Sequence, residues 1–177
     1  MKTARGVLTH ELPLLLAVFL DLAGFGMILP DIQTRLEGMG AAGWLIGAVF
    51  SSYFVAQTVA SPLWGRWSDR AGRKPVLLWC GLLSVAALLM YAGAGSVAWL
   101  FVSRILAGLG GANVVAAQAY LADTTEEKTR PEALGRIGVA ITGGLLLGPV
   151  IGGYLSEVGG HVLLGGVAAA LSLLGVL

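Results

Sequence analysis

The chain has 177 residues, is 56% hydrophobic and only 12% charged, and has a mean hydropathy of +0.83. A soluble domain carries about 25% charged residues, so this balance excludes an ordinary soluble protein and points to an integral membrane chain. The net charge of +1 offers no footing for nucleic acid, and the single cysteine, Cys80, excludes an intrachain disulfide.

Six apolar stretches follow one another: Leu12–Leu29, Gly43–Trp64, Pro75–Ala94, Val97–Ala122, Leu134–Leu155 and Val162–Leu177. Most approach the roughly 20 residues needed to cross the hydrocarbon as a helix. The first has a positive start, an apolar centre and a small-residue "DLAG", as a signal peptide would. The five stretches behind it, and the return of apolar residues after Asp21, favour a membrane span. The last has only 16 residues and meets the chain end without a polar flank. The expectation is therefore a truncated chain, with pairing to a second copy as the alternative.

Lys and Arg divide unevenly between the connections. Nine (Lys2, Arg5, Arg66, Arg70, Arg73, Lys74, Lys128, Arg130, Arg136) fall on one side of the predicted membrane, and Arg35 alone falls on the other. The positive-inside rule then puts the N-terminus in the cytoplasm. No soluble domain or low-complexity tract is visible. Pro131 suits the first turn of the fifth span.

Asp21 and Arg104 lie well inside the first and fourth spans. An insertion scale sets each at ~2.5–3.5 kcal/mol at a helix centre, so intramembrane charge points to function. Asp21 sits about 14 Å above the inner end of its span and Arg104 about 10 Å below the outer end of its own, at 1.5 Å per residue. Their depths are close enough for an arginine to bridge. A carboxylate beside a movable guanidinium can take up and release protons. The alternative is a static pair that fixes helix packing; such pairs bring little net stability, which favours the functional reading.

Arg104, Gly108, Gly111 and Gln118 share one helical stripe, and Tyr53, Gln57 and Ser61 form another. They are candidates to line a substrate cavity, with interhelical hydrogen bonding as the alternative. Asn113 points away from the first stripe and reads as a packing contact. In the fifth span Ala140, Gly144, Gly148 and Gly152 recur every four residues, with Pro149 among them. That spacing makes a smooth face on which another helix can lie backbone to backbone. No HExxH, GxSxG or placed pair of acids marks an intramembrane enzyme. His10 and His161 read as interfacial residues, and no metal is expected.

Four collinear motifs resemble those of the major facilitator superfamily, in particular its proton-driven drug exporters, which include the tetracycline efflux proteins. "GRWSDRAGRKP" is similar to the family's loop between helices two and three, with Trp67 and Ser68 for the usual Leu and Ala. "DLAGFGMILP" resembles the helix-one signature, "RILAGLGGA" the helix-four motif, and "GLLLGPVIGG" (Gly144, Gly148, Pro149, Gly152, Gly153) the helix-five antiporter motif.

The resemblance implies an all-α integral membrane fold, six transmembrane helices forming the N-terminal half, with the C-terminal half absent. It implies proton-coupled efflux of a small drug-like or metabolite substrate by alternating access from the plasma (inner) membrane. Asp21 and Arg104 would carry the proton coupling. Asp69, Arg70, Arg73 and Asp123 would form a conformational latch and charge network, with Gly65 and Gly72 permitting the turn. Its partners would be substrate, protons, the lipid bilayer and the missing half or a second copy; no cofactor is implied beyond the proton. The other readings are a sugar or metabolite symporter or facilitator of the same superfamily, and a non-transporting half that assembles with a partner. Tetracycline exporters carry an acid in the middle of helix three, where this chain has Ala87. That argues against tetracycline itself and leaves drug or metabolite export.

Overall fold

The computed structural model describes residues 4–111 and 113–176, with side chains from Glu11 onward within them. Lys2 and Leu177 lie outside the described residues, as do the side chains of Arg5 and His10. The elements are α1 (Ala4–Gly38), α2 (Gly43–Ala71), α3 (Arg73–Ala92), α4 (Val97–Gly110), α5 (Asn113–Thr124) and α6 (Arg130–Val176). Among the described residues every regular element is helical. In lipid this follows from the backbone, since a helix satisfies its own N–H and C=O groups without water.

The helices run past the predicted spans, because their polar ends can continue into the interface while hydropathy marks only the core. Two boundaries differ in kind. The fourth stretch is interrupted near Gly111 and becomes α4 and α5. It remains a single crossing: Gly110 meets Cys80 and Ser84 of α3, and Ala116, further along, meets Val76 and Cys80. The fifth and sixth stretches join as α6, whose 47 residues would reach about 70 Å if straight, twice the bilayer core. The joint is Gly160, at φ 66° and ψ −170°, a left-handed conformation that only glycine adopts cheaply. Contacts with α1 show that the chain reverses there. Gly144, Gly148 and Gly152 meet Phe19, Ala23 and Met27 in rising order, whereas Ala168, Ser172 and Gly175 meet Gly24, Asp21 and Ala17 in falling order. Counting α4 with α5 as one crossing and α6 as two, the described residues make six.

α1 therefore lies in the fork of α6. A Cβ on Gly144 would sit 2.7 Å from Phe19 O, and one on Gly148 2.7 Å from Ala23 O and 2.9 Å from Gly26 Cα. These distances leave no room for a side chain, and dispersion between the two backbones is the attraction that replaces the hydrophobic effect in lipid. Gly153 turns away from this contact and has open space around it. Packed around α1 is a core of Met27, Ile28, Ile32, Leu36, Tyr91, Leu100 and Leu164.

At the end where α1 begins, Glu11 is buried and accepts from Arg136 Nε at 2.9 Å and Nη2 at 2.6 Å. This forked ion pair closes the entry of α6 against α1.

Two stability outcomes follow. Gly148→Leu should destabilise the protein by about 3 kcal/mol, the upper range for overpacking, while Gly47→Ala, where a Cβ meets open space, should leave it unchanged or slightly more stable. Arg136→Ala should cost about 2 kcal/mol, less than a fully buried pair because the arginine keeps some solvent contact. Thermal unfolding in detergent checks both; a tolerated leucine at position 148 would contradict the α1–α6 packing.

Candidate functional site

Asp21 projects from α1 into the bundle interior. Its Oδ1 accepts from Ser172 Oγ at 2.8 Å, and its Oδ2 accepts from Asn113 Nδ2 at 3.4 Å. Ser172 belongs to the returning limb of α6 and Asn113 opens α5, so one carboxylate ties three helical segments. Asn113, expected to be a packing contact, is thus a direct partner of the acid. Asn113 does lie away from the Arg104 stripe, on the side that faces α1, and spacing alone gave no sign that an acid waits there.

Arg104 of α4 is 2% exposed. Its guanidinium carbon lies 5.6 Å from the centre of the Tyr91 ring, and Nε, Nη1 and Nη2 have no hydrogen-bond partner among the described residues. No ion pair joins it to Asp21; the direct contact expected from their depths is not made. Each side chain turns to a different neighbour, Asp21 toward α5 and α6, Arg104 toward α3. Both nevertheless line one cavity of about 440 Å³, together with Tyr53, Gln57 and Ser84. Asp21 also borders a second cavity of about 780 Å³ on the side of Lys74 and Tyr120. The carboxylate therefore stands between two spaces.

Gly108, expected to line the cavity, lines neither space and serves a helix contact instead. A Cβ on Gly108 would collide with the carbonyl oxygen of Tyr53 and sit 2.8 Å from Ala56 Cβ, so α2 and α4 touch by their backbones there. Gln57 Nε2 donates to Gly111 O at 2.7 Å, closing the helix interruption with a side chain from α2. Gln118, placed on the same stripe by its spacing, is exposed and lines neither cavity.

At the turn between α2 and α3, Arg73 gathers the charges. It lies 3.1 Å from Asp69 and 3.0 Å from Asp123 at the end of α5, and also donates to Ser68 Oγ at 3.0 Å. Arg70 is exposed and makes no hydrogen bond or ion pair among the described residues. Gly72 takes φ 93°, which the turn requires, but Gly65 lies inside α2 and takes no part in it. Asp69 stays largely open to the surface, with 67% of its side chain exposed.

A polar cluster at the opposite end has no counterpart in the sequence reading. Asp31 accepts from the hydroxyls of Tyr91 and Ser156, while Arg35 donates to the backbone oxygens of Tyr91 and Ala94. The Tyr91 ring carries Arg35 on one contact, at 5.0 Å, and Arg104 on another. The sequence signal was an acid and a base four residues apart at the end of the first span; only the fold brings Tyr91 between them and Arg104. Among the described residues no group of three His, Cys, Asp or Glu is placed to hold a metal.

The chain is similar to known proteins in sequence and in fold. The chain is 40% identical over 149 residues to the class E tetracycline resistance protein of Escherichia coli, covering 81% of this chain and 36% of that protein. It is 37% identical over 147 residues to multidrug resistance protein 1 of Bacillus subtilis strain 168, covering 82% of this chain and 38% of that protein. The chain thus spans well under half the length of these relatives. Among solved structures it superposes on the human organic anion transporter MFSD10 with a TM-score of 0.81, at 27% identity, over 93% of this chain and 46% of that one. The fold is also that of the proton:xylose symporter XylE, with a TM-score of 0.81 at 19% identity, over 94% of this chain and 42% of that one. The family model of the Major Facilitator Superfamily matches residues 14–177. These are multi-pass membrane transporters, not enzymes, and the chain belongs to the major facilitator superfamily.

Proposed function

We propose that the chain is the N-terminal portion of a carrier that exports a small drug-like or metabolite molecule in exchange for protons by alternating access. The observation that carries this reading is that Asp21 and Arg104, both deep in the membrane, line one cavity. Resistance proteins among the relatives add the direction of transport. In this reading the nine cations at the ends near Glu11, Arg73 and Arg136 face the cytoplasm, and the N-terminus lies on that side.

Asp21 is the proton site. Its two oxygens serve only as acceptors when ionised, one for Ser172 and one for Asn113. A proton on Oδ2 puts an O–H against an amide that was donating to it. That bond must turn over, with Asn113 accepting through Oδ1 where it had donated through Nδ2, and the α1–α5 contact is rearranged. Proton arrival is thereby converted into a change of helix contact at the cavity wall. Arg104 supplies positive charge to the same cavity and favours departure of the proton. One charge moved through 100 mV is worth ~2.3 kcal/mol, and the pH gradient adds to it.

The Arg73 node is the cytoplasmic latch. Arg73 holds α3 to α5 through Asp123 and orients Asp69, whose exposed carboxylate is available to the remainder of the carrier. Because the node is solvent-reachable, its bonds are worth about 1 kcal/mol or less each, which suits a contact that must open every cycle.

Two measurements on the full-length polypeptide in proteoliposomes test this. Asp21→Asn should abolish transport driven by an imposed pH gradient while substrate binding stays within a few-fold of the wild type. Gradient-driven transport that survives the change would remove Asp21 from the coupling, and uptake in the direction of proton flow would replace antiport by symport. Arg73→Ala should lower the transport rate by about tenfold or more with Arg70→Ala nearly silent, since only Arg73 bridges two helices. Equal effects of the two would contradict the node.

A further inference from the structure

Arg104 presents a problem that neither packing nor Tyr91 solves. A guanidinium carries five N–H donors in one plane and keeps its charge in proteins. The Tyr91 ring engages the cation electrostatically, but a ring face accepts no in-plane N–H in the manner of an oxygen. All three nitrogens are buried and without an acceptor among the described residues. The carboxylate that shares the cavity is engaged elsewhere, one oxygen on Ser172 and the other on Asn113. A buried cation left in this condition is strongly unfavourable unless an acceptor reaches it during the working cycle.

The rest of the cavity tells what could bring that acceptor. Its wall beside α2 is aromatic: Phe25 and Tyr53 lie 4.7 Å apart, and Tyr53 and Phe54 5.1 Å apart. Leu22, Ile28 and Leu88 continue the apolar lining, and about 440 Å³ is room for a fused two-ring body. Planar carboxylates suit a guanidinium fork, which binds them through two parallel N–H bonds.

We propose that Arg104 receives the oxyanion of a small aromatic acid whose ring system lies against Phe25 and Tyr53. The inference rests on the transporter reading and narrows its substrate to aryl carboxylates and similar planar oxyanions. It adds anion recognition to the part Arg104 plays beside Asp21, while the proton itself stays on Asp21. Export of one monoanion against one proton then carries two positive charges inward, so the membrane potential assists every turnover.

The test is equilibrium binding to the full-length transporter in detergent, without any gradient, using three probes of nearly equal shape: naphthoate, naphthamide and naphthylmethylammonium. Naphthoate should bind at least about tenfold more tightly than the ammonium compound, the range expected for charge-assisted bonds in a buried site. Arg104→Gln should remove that preference while naphthamide affinity stays within about twofold, which also reports that the variant is folded. Asp21→Asn should leave the naphthoate preference in place. Equal or tighter binding of the ammonium probe to the wild type overturns the proposal without recourse to any variant. So does a naphthoate preference that survives Arg104→Gln. Because no gradient is applied, failure of proton coupling and failure of anion recognition appear in different experiments.

Discussion

Everything in this fold depends on how closely α1 approaches α6. Glycine at every fourth position lets α1 settle against the first limb of α6 at backbone distance, Gly24 and Gly175 bring the second limb close at Ala168 and Ala17, and the reversal at Gly160 turns the chain from one limb to the other. That geometry delivers Ser172 to Asp21. A bulkier residue at position 144, 148 or 152 would push α1 outward and carry the carboxylate away from its donor. The glycine ladder therefore helps to set the position of Asp21 although it lines neither cavity.

The same approach organises charge. The membrane interior holds an acid with two donors and a base whose nearest favourable neighbour is an aromatic face. The two ends hold self-contained polar nodes: Glu11 with Arg136 and Arg73 with two aspartates at one end, Asp31 with Tyr91 and Ser156 at the other. Tyr91 belongs to both worlds. It is anchored by the Asp31 node and presents its ring to Arg104, so a disturbance at that end reaches the buried guanidinium through one side chain.

Much of this was legible in the amino acids. Hydropathy marked the crossings because lipid leaves a strong compositional trace, and the four-residue glycine rhythm announced a backbone contact. Asp21 and Arg104 stood out because charge within an apolar run is rare. What the pattern could not supply was azimuth. Depth along a helix is proportional to residue number, so Asp21 and Arg104 were placed at similar heights; which neighbour each faces depends on how each helix is rotated in the bundle. Asn113 was set on the correct side of its helix, but its partner Asp21 belongs to another helix and could not be read from spacing. Asp31, Tyr91 and Ser156 escaped notice because each is unremarkable alone, and they come from three separate spans. Gly65 looked like a turn residue beside Gly72, yet α2 continues through it because nothing there calls for a positive φ.

In the proposed cycle Asp21 changes protonation inside the membrane while held by α5 and α6. Infrared difference spectroscopy of the full-length protein reads this directly. The account predicts a protonated-carboxyl band that grows on acidification, shifts when Ser172→Ala removes its donor, and vanishes in Asp21→Asn. A spectrum unchanged by Asp21→Asn at every pH would show that this acid never carries the proton.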